Sequence, residues 1–172
     1  MLFNYRVLNL LGFAGCIGGL LFAILFLQKT LGFEPCPMCI FQRVAMFVTG
    51  IFFLLGAIHG PRGPGRWVYS LLALLAALVG AGIAGRHVWL QSLPADQVPA
   101  CGPTLAYLMD MFPLNEVITI ILKGDGNCAK IDAQWLGVSL PGWTLIAFIV
   151  FAVWALAVPL LARRSRAESR IL

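Results

Sequence analysis

Residues 36–58 read CPMCIFQRVAMFVTGIFFLLGAI, and this stretch decides the fold. From residue 39 to 58 the only strongly polar side chains are Gln42, Arg43 and Thr49. About 20 such residues, wound as a helix, cross the ~30 Å hydrocarbon core of a bilayer. Three other runs have the same length and character, at roughly 8–27, 67–85 and 143–161. The chain as a whole agrees: 60% of its 172 residues are hydrophobic and 11% charged, with a mean hydropathy of +0.91. Soluble domains are closer to half apolar and a quarter charged. The expected fold class is an all-α membrane protein, a single domain over 1–172 built as a four-transmembrane-helix bundle.

The basic residues orient that bundle. With both termini on one side, that side collects Arg6, Arg62, Arg66, Arg163, Arg164, Arg166 and Arg170. The other receives Lys29, Lys123 and Lys130, with Arg43 and Arg86 close to helix ends. Lys and Arg accumulate on the cytoplasmic side of a membrane protein. The termini and the 59–66 loop are therefore expected in the cytoplasm, and segments 28–38 and 87–141 outside. A net charge of +5 needs no nucleic-acid partner on this account.

Arg6, an apolar run and Phe13-Ala14-Gly15-Cys16 loosely suggest a cleaved secretory or lipoprotein signal. The apolar run continues from Ile17 to Leu27, too far for a processing site, so a retained helix is favoured, with Cys16 a packing residue beside Gly15 and Gly19. Gly60-Pro61-Arg62-Gly63-Pro64-Gly65 reads as a tight turn. Ala76, Gly80 and Ala84, at four-residue spacing, allow a neighbouring helix close. The outer loop, rich in Pro, Gly and Asp, is expected to be largely irregular. Within it residues 114–122 are too short to span and too apolar for a solvated loop. They read as a short helix on the membrane surface, with an apolar strand as the alternative.

The chemistry lies in four cysteines. Cys36 and Cys39 form a Cys-x-x-Cys pair at the mouth of the second helix, and Cys101 and Cys128 lie in the long outer loop. Such a pair is the raw material of disulfide exchange. Pro37 is well suited to open the helix, which puts Cys36 at the cap, at the positive end of the helix dipole, and Cys39 in the first turn. Arg43 follows Cys39 by four residues and shares its face. An arginine there stabilises a thiolate or an anionic oxygen on an electron acceptor, and its register with Cys39 favours that role over simple snorkelling to the interface. A zinc site fits poorly, because Cys101 and Cys128 are separated by 26 residues with no histidine beside them, and the only histidines are His59 and His87. Loop bracing suits Cys101 and Cys128 better than a two-residue ring.

No dinucleotide fingerprint, haem motif or iron–sulfur spacing is present. By elimination, a lipid-soluble quinone in an apolar crevice is the expected acceptor, with Arg43 and His87 as candidate polar contacts. Three classes stay open on the residues alone. These are a quinone-linked thiol oxidase, a quinone reductase of the vitamin K epoxide reductase type, and a membrane scaffold whose loop disulfides are structural.

Several motifs together resemble the DsbB family, bacterial inner-membrane thiol oxidases that re-oxidise the periplasmic oxidant DsbA. They are Cys36-Pro37-Met38-Cys39-Ile40-Phe41-Gln42-Arg43, His87-Val88-Trp89-Leu90-Gln91, Gly126-Asn127-Cys128-Ala129, and the run from Gln134-Trp135-Leu136-Gly137 to Leu140-Pro141-Gly142-Trp143. The resemblance covers nearly the whole chain. It implies that Cys101 forms the mixed disulfide with a DsbA-like thioredoxin-fold partner. Cys128, paired with Cys101 at rest, then exchanges with Cys36, and Cys39 passes electrons to ubiquinone (or menaquinone) with Arg43 assisting. His87 matches a histidine near the quinone. The Pro-Met dipeptide between Cys36 and Cys39 is a point at which the redox potential is tuned. Spacing alone does not say which loop cysteine a partner attacks.

Overall fold

The computed structural model describes residues 4–94, 96–131 and 133–168, with side chains described as far as Arg163. Arg170, and the side chains of Arg164 and Arg166, lie outside the described residues. Among the described residues, four helices are long and apolar enough to cross a membrane: Tyr5–Thr30, Pro37–His59, Gly65–Gln91 and Leu140–Arg163. This is an all-α four-helix membrane protein. In chain order the elements are α1 (Tyr5–Leu21), a π-helical continuation (Phe22–Thr30), α2 (Pro37–His59) and α3 (Gly65–Gln91). Then come the short α4 (Leu105–Met111), α5 (Leu114–Lys123) and α6 (Gly126–Ala129), a two-stranded hairpin of β1 (Gln134–Trp135) and β2 (Val138–Ser139), and α7 (Leu140–Glu168). Chain neighbours pack side by side, α3 lies against α7, and α7 meets α1 to close the ring.

Inside lipid, helices gain little from burying apolar surface against one another, so close packing at small residues holds the bundle. Cys16 is fully buried, with its Cβ tight against Gly50 of α2. Gly80 is filled by the ring of Phe148, which a methyl group there would overlap. The buried stripe of α3 is Ala73, Ala77, Gly80 and Ala84. Ala76 is only half-buried, because the face toward α7 follows the 3.6-residue period rather than strict four-residue steps. At the end away from the cysteines, Gly60 closes α2 in the left-handed conformation (φ 55°). There the Arg66 guanidinium stands 5.2 Å from the centre of the Tyr5 ring.

Two expectations are corrected. The third helix does not stop at residue 85 but runs to Gln91, so His87 and Gln91 belong to its last turns, with Arg86, rather than to the loop. Nothing from 86 to 91 breaks a helix, and three of these side chains find acceptors in the folded loop. That loop is also less irregular than its composition suggested, since it contains three short helices and the hairpin. Residues 114–122 are helical, as α5, with Val117 and Ile121 buried while Leu114, Ile118 and Leu122 stay exposed.

A candidate thiol–disulfide exchange site

Pro35-Cys36-Pro37 builds the first part locally. A residue before proline is held extended, and Cys36 has φ −64° and ψ 162°. Pro37 then opens α2, where a missing N–H costs nothing. The Cys36 side chain folds back over the first turn and accepts a hydrogen bond from the Cys39 amide at 3.4 Å. The two sulfurs are 3.1 Å apart. Met38, between them in sequence, is fully buried in a cluster with Leu90, Leu108, Val117, Ile121 and Cys128. The capping geometry expected for Cys36 is what the structure has.

The last turns of α3 fasten the loop to this mouth. His87 Nε2 lies 3.0 Å from the Cys128 carbonyl oxygen, and Gln91 Nε2 donates to the Lys130 carbonyl at 3.2 Å. Arg86 donates from Nε to the Leu122 carbonyl and from Nη2 to the Lys123 carbonyl, at 3.3 and 3.1 Å. Asp125 caps α6 by accepting from the Cys128 amide. Cys128 is thereby buried at 2% exposure, and its sulfur, the Cys36 sulfur and His87 Nε2 lie within 4.8 Å of one another. Hydrogen bonding to the Cys36 sulfur, and then burial, raise the Cys128 thiol well above the usual cysteine range.

Cys101 is in a different setting. It is exposed, yet it is tethered to α6. The Gly126 amide donates to the Ala100 carbonyl at 3.1 Å, and Asn127 Nδ2 donates to the Gly102 carbonyl at 3.2 Å. A Cβ on Gly126 would stand 3.2 Å from the Cys101 sulfur. The loop thus folds the distant pair into one neighbourhood, leaving one thiol accessible and the other buried.

Cys39 faces the opposite way, into a cavity of about 240 Å³ among α1, its π-helical continuation, α2 and α7. Its walls include Phe22, Ala23, Gln42, Arg43 and Trp143. Arg43 is held there by Gln28 Oε1 at 2.7 Å and the Ala23 carbonyl at 3.3 Å. Cys39 and Arg43 therefore share the cavity, as their spacing implied. His87 is not on its wall. It stands on the loop side of Gln42, with Nδ1 3.1 Å from Gln42 Nε2 and Nε2 3.9 Å from the Cys36 sulfur. Gln42, buried at 4% exposure, separates the two compartments. The sequence reading gave no role to Gln42, Gln28, Asp125 or Asn127. For Gln42 a signal was there, a polar residue inside an apolar span directly beside Arg43.

A family model described as "Disulfide bond formation protein DsbB" matches residues 5–158. The chain is similar to the disulfide bond formation protein B of Saccharophagus degradans, 51% identical over 154 residues, covering 88% of this chain and 92% of the relative. It is 48% identical over 163 residues to that of Xanthomonas euvesicatoria pv. vesicatoria, covering 94% of each. It is 51% identical over 142 residues to that of Hahella chejuensis, covering 82% of this chain and 86% of the relative.

Proposed function

The chain belongs to the DsbB family of disulfide bond formation proteins, and on that premise we propose that it re-oxidises a DsbA-like thioredoxin-fold dithiol and delivers the electrons to a quinone. The observation that carries this reading is the serial placement of the sulfurs. Cys101 is exposed, Cys128 is buried beside Cys36, and Cys39 opens onto the cavity that holds Arg43. Exposure also supports Cys101, rather than Cys128, as the sulfur that a folded partner reaches.

In this mechanism a partner thiolate attacks Cys101 of the Cys101–Cys128 disulfide and releases Cys128. Cys128 then attacks Cys36 of the Cys36–Cys39 disulfide and releases Cys39 as a thiolate facing the cavity. The second partner thiol displaces Cys101 and leaves with its disulfide complete. Cys101 next attacks Cys128, which re-forms the loop disulfide and frees Cys36, so the two electrons now reside on the Cys36–Cys39 dithiol. A quinone, when bound, supplies an acceptor for two electrons and two protons, and the Cys36–Cys39 disulfide closes again. The cavity suits such a ring: its walls are mostly apolar, and Cys39 and the Arg43 guanidinium are among the few polar groups on them, with Glu34, Gln42 and Thr144. Arg43 is the group that would stabilise negative charge developing at Cys39 or on a quinone oxygen.

The arginines at the end bearing the Gly60 turn support a cytoplasmic position for that end. The cysteine end would then face the periplasm from the inner membrane. Cys128 seated on Cys36 favours exchange over a merely bracing role for the loop disulfide.

The test uses purified protein in detergent with ubiquinone and a reduced thioredoxin-fold oxidant. Loss of quinone absorbance should match partner oxidation one to one. It should vanish in Cys39→Ser and fall at least about tenfold in Arg43→Ala, where a charge-assisted contact worth ~1.5–3 kcal/mol is lost. Full steady-state turnover by Cys39→Ser, or no consumption of either ubiquinone or menaquinone, would overturn the reading.

A further inference from the structure

Cys36, His87 and Cys128 come from three separate segments, the cap of α2, the last turns of α3, and α6. Their sulfurs and Nε2 nonetheless form one cluster within 4.8 Å. Exchange at Cys36 accounts for the sulfurs, since the attacking Cys128, the central Cys36 and the leaving Cys39 must come together, but it does not by itself call for an imidazole at the same point. That donor set has a chemistry of its own. We propose that the fully reduced protein binds one thiophilic d10 cation of the zinc and cadmium class through Cys36, Cys128 and His87.

The distances suit such an ion. Zinc bonds thiolate sulfur at ~2.3 Å and imidazole nitrogen at ~2.0–2.1 Å in tetrahedral sites, so a sulfur and a nitrogen on one ion stand roughly 3.6 Å apart. The Cys36 sulfur and His87 Nε2 are 3.9 Å apart, a few tenths of an ångström from that value. His87 and Cys128 are each 2% exposed, which keeps water from competing for the ion. Gln42 faces the other ring nitrogen of His87. With its amide oxygen turned to accept from Nδ1–H, it is the outer partner that ligating histidines characteristically have. On binding, Nε2 exchanges its contact with the Cys128 carbonyl for the ion, and each ligating thiol releases one proton, so affinity rises with pH. No electron moves. Disulfide closure removes the thiolates, so the site exists only in the reduced chain and its occupation blocks exchange between Cys36 and Cys128. The inference goes beyond the oxidase reading and stands without it, because binding is read on the isolated protein with neither quinone nor partner present.

The experiment titrates chemically reduced, anaerobic protein in detergent with cadmium and follows thiolate-to-metal charge-transfer absorption. Saturation at one ion per chain is expected, with none after disulfide oxidation. Cys128→Ser should abolish tight binding, whereas Cys101→Ser should bind as the wild type does. His87→Ala should weaken binding by more than about 100-fold, beyond what loss of an outer-shell partner costs. X-ray absorption of the wild-type zinc complex gives a second readout that needs no variant to fold. A mixed shell with sulfur at ~2.3 Å and nitrogen at ~2.0–2.1 Å is expected. An all-sulfur shell, equal losses in Cys101→Ser and Cys128→Ser, or unchanged affinity in His87→Ala would overturn the proposal.

Discussion

Gly126 stands where the 99–102 segment of the loop meets α6, the short helix that carries Cys128. A Cβ there would lie 2.7 Å from the Pro99 carbonyl oxygen and 3.1 Å from the Cys101 amide nitrogen. Both contacts are backbone, so neither yields by a rotamer change. Gly126→Ala must push the 99–102 segment away from α6, and overpacking of this kind costs ~1–3 kcal/mol. If the two cysteines pair, that strain falls on the pairing: the equilibrium constant for closing Cys101–Cys128 in a glutathione buffer should drop about tenfold. Mass spectrometry after differential alkylation measures it, and an unchanged constant would show that this contact does not set the approach. At this scale the sequence was readable where the determinant is local. Pro35 and Pro37 fix the Cys36 cap, and a four-residue step puts Arg43 with Cys39. It was not readable where the partner comes from elsewhere in the chain. No local pattern brings His87 to the Cys128 carbonyl, or Gln42 between His87 and the cavity.

Among the elements, α3 does more than cross the membrane. Arg86, His87 and Gln91 take hold of carbonyls at 122, 123, 128 and 130, so the helix end acts as a template for the loop that carries Cys128. Each such bond contributes ~0.5–1.5 kcal/mol net, more from the charged guanidinium. The double variant Arg86→Ala, Gln91→Ala should therefore loosen residues 122–130 while the bundle stays intact. Hydrogen exchange of those amides should accelerate at least about tenfold with no change in the α2 and α7 cores; uniform protection would mean that α5 and α6 hold themselves in place. The four spans were legible from apolar length, and α5 from its apolar content within a polar loop. The extension of α3 was hidden because its stabilising acceptors lie 36 to 41 residues further along the chain. The π-helical turn of α1 was hidden as well, since apolar composition does not register a change from four- to five-residue hydrogen bonding. Its Ala23 carbonyl is one of the two groups that hold Arg43; π-helical turns often occur at functional sites.

The whole molecule separates a packing problem from a chemical one. Halfway down the bundle α3 and α7 are joined through small residues, with Phe148 filling the space left by Gly80. The sulfurs of Cys36, Cys39 and Cys128 sit at the start of α2 and in the loop clamped by the end of α3, whereas the atoms nearest a Cβ at Gly80 all belong to Phe148. A side chain at 80 must displace an aromatic ring buried at 0% exposure, and bilayer lipid offers no compensating hydrophobic gain for forcing the helices apart. Gly80→Val should accordingly cost ~1–3 kcal/mol of bundle stability, seen as a lower midpoint for thermal loss of helicity in detergent. Below that midpoint, Cys101 should still react with an alkylating reagent much faster than the buried Cys128, as in the wild type. If the ratio of the two rates collapsed while the helices remained folded, the thiol end would depend on mid-bundle packing. If it holds, the four-helix frame and the loop that seats Cys128 are stabilised independently, as their separate contacts indicate.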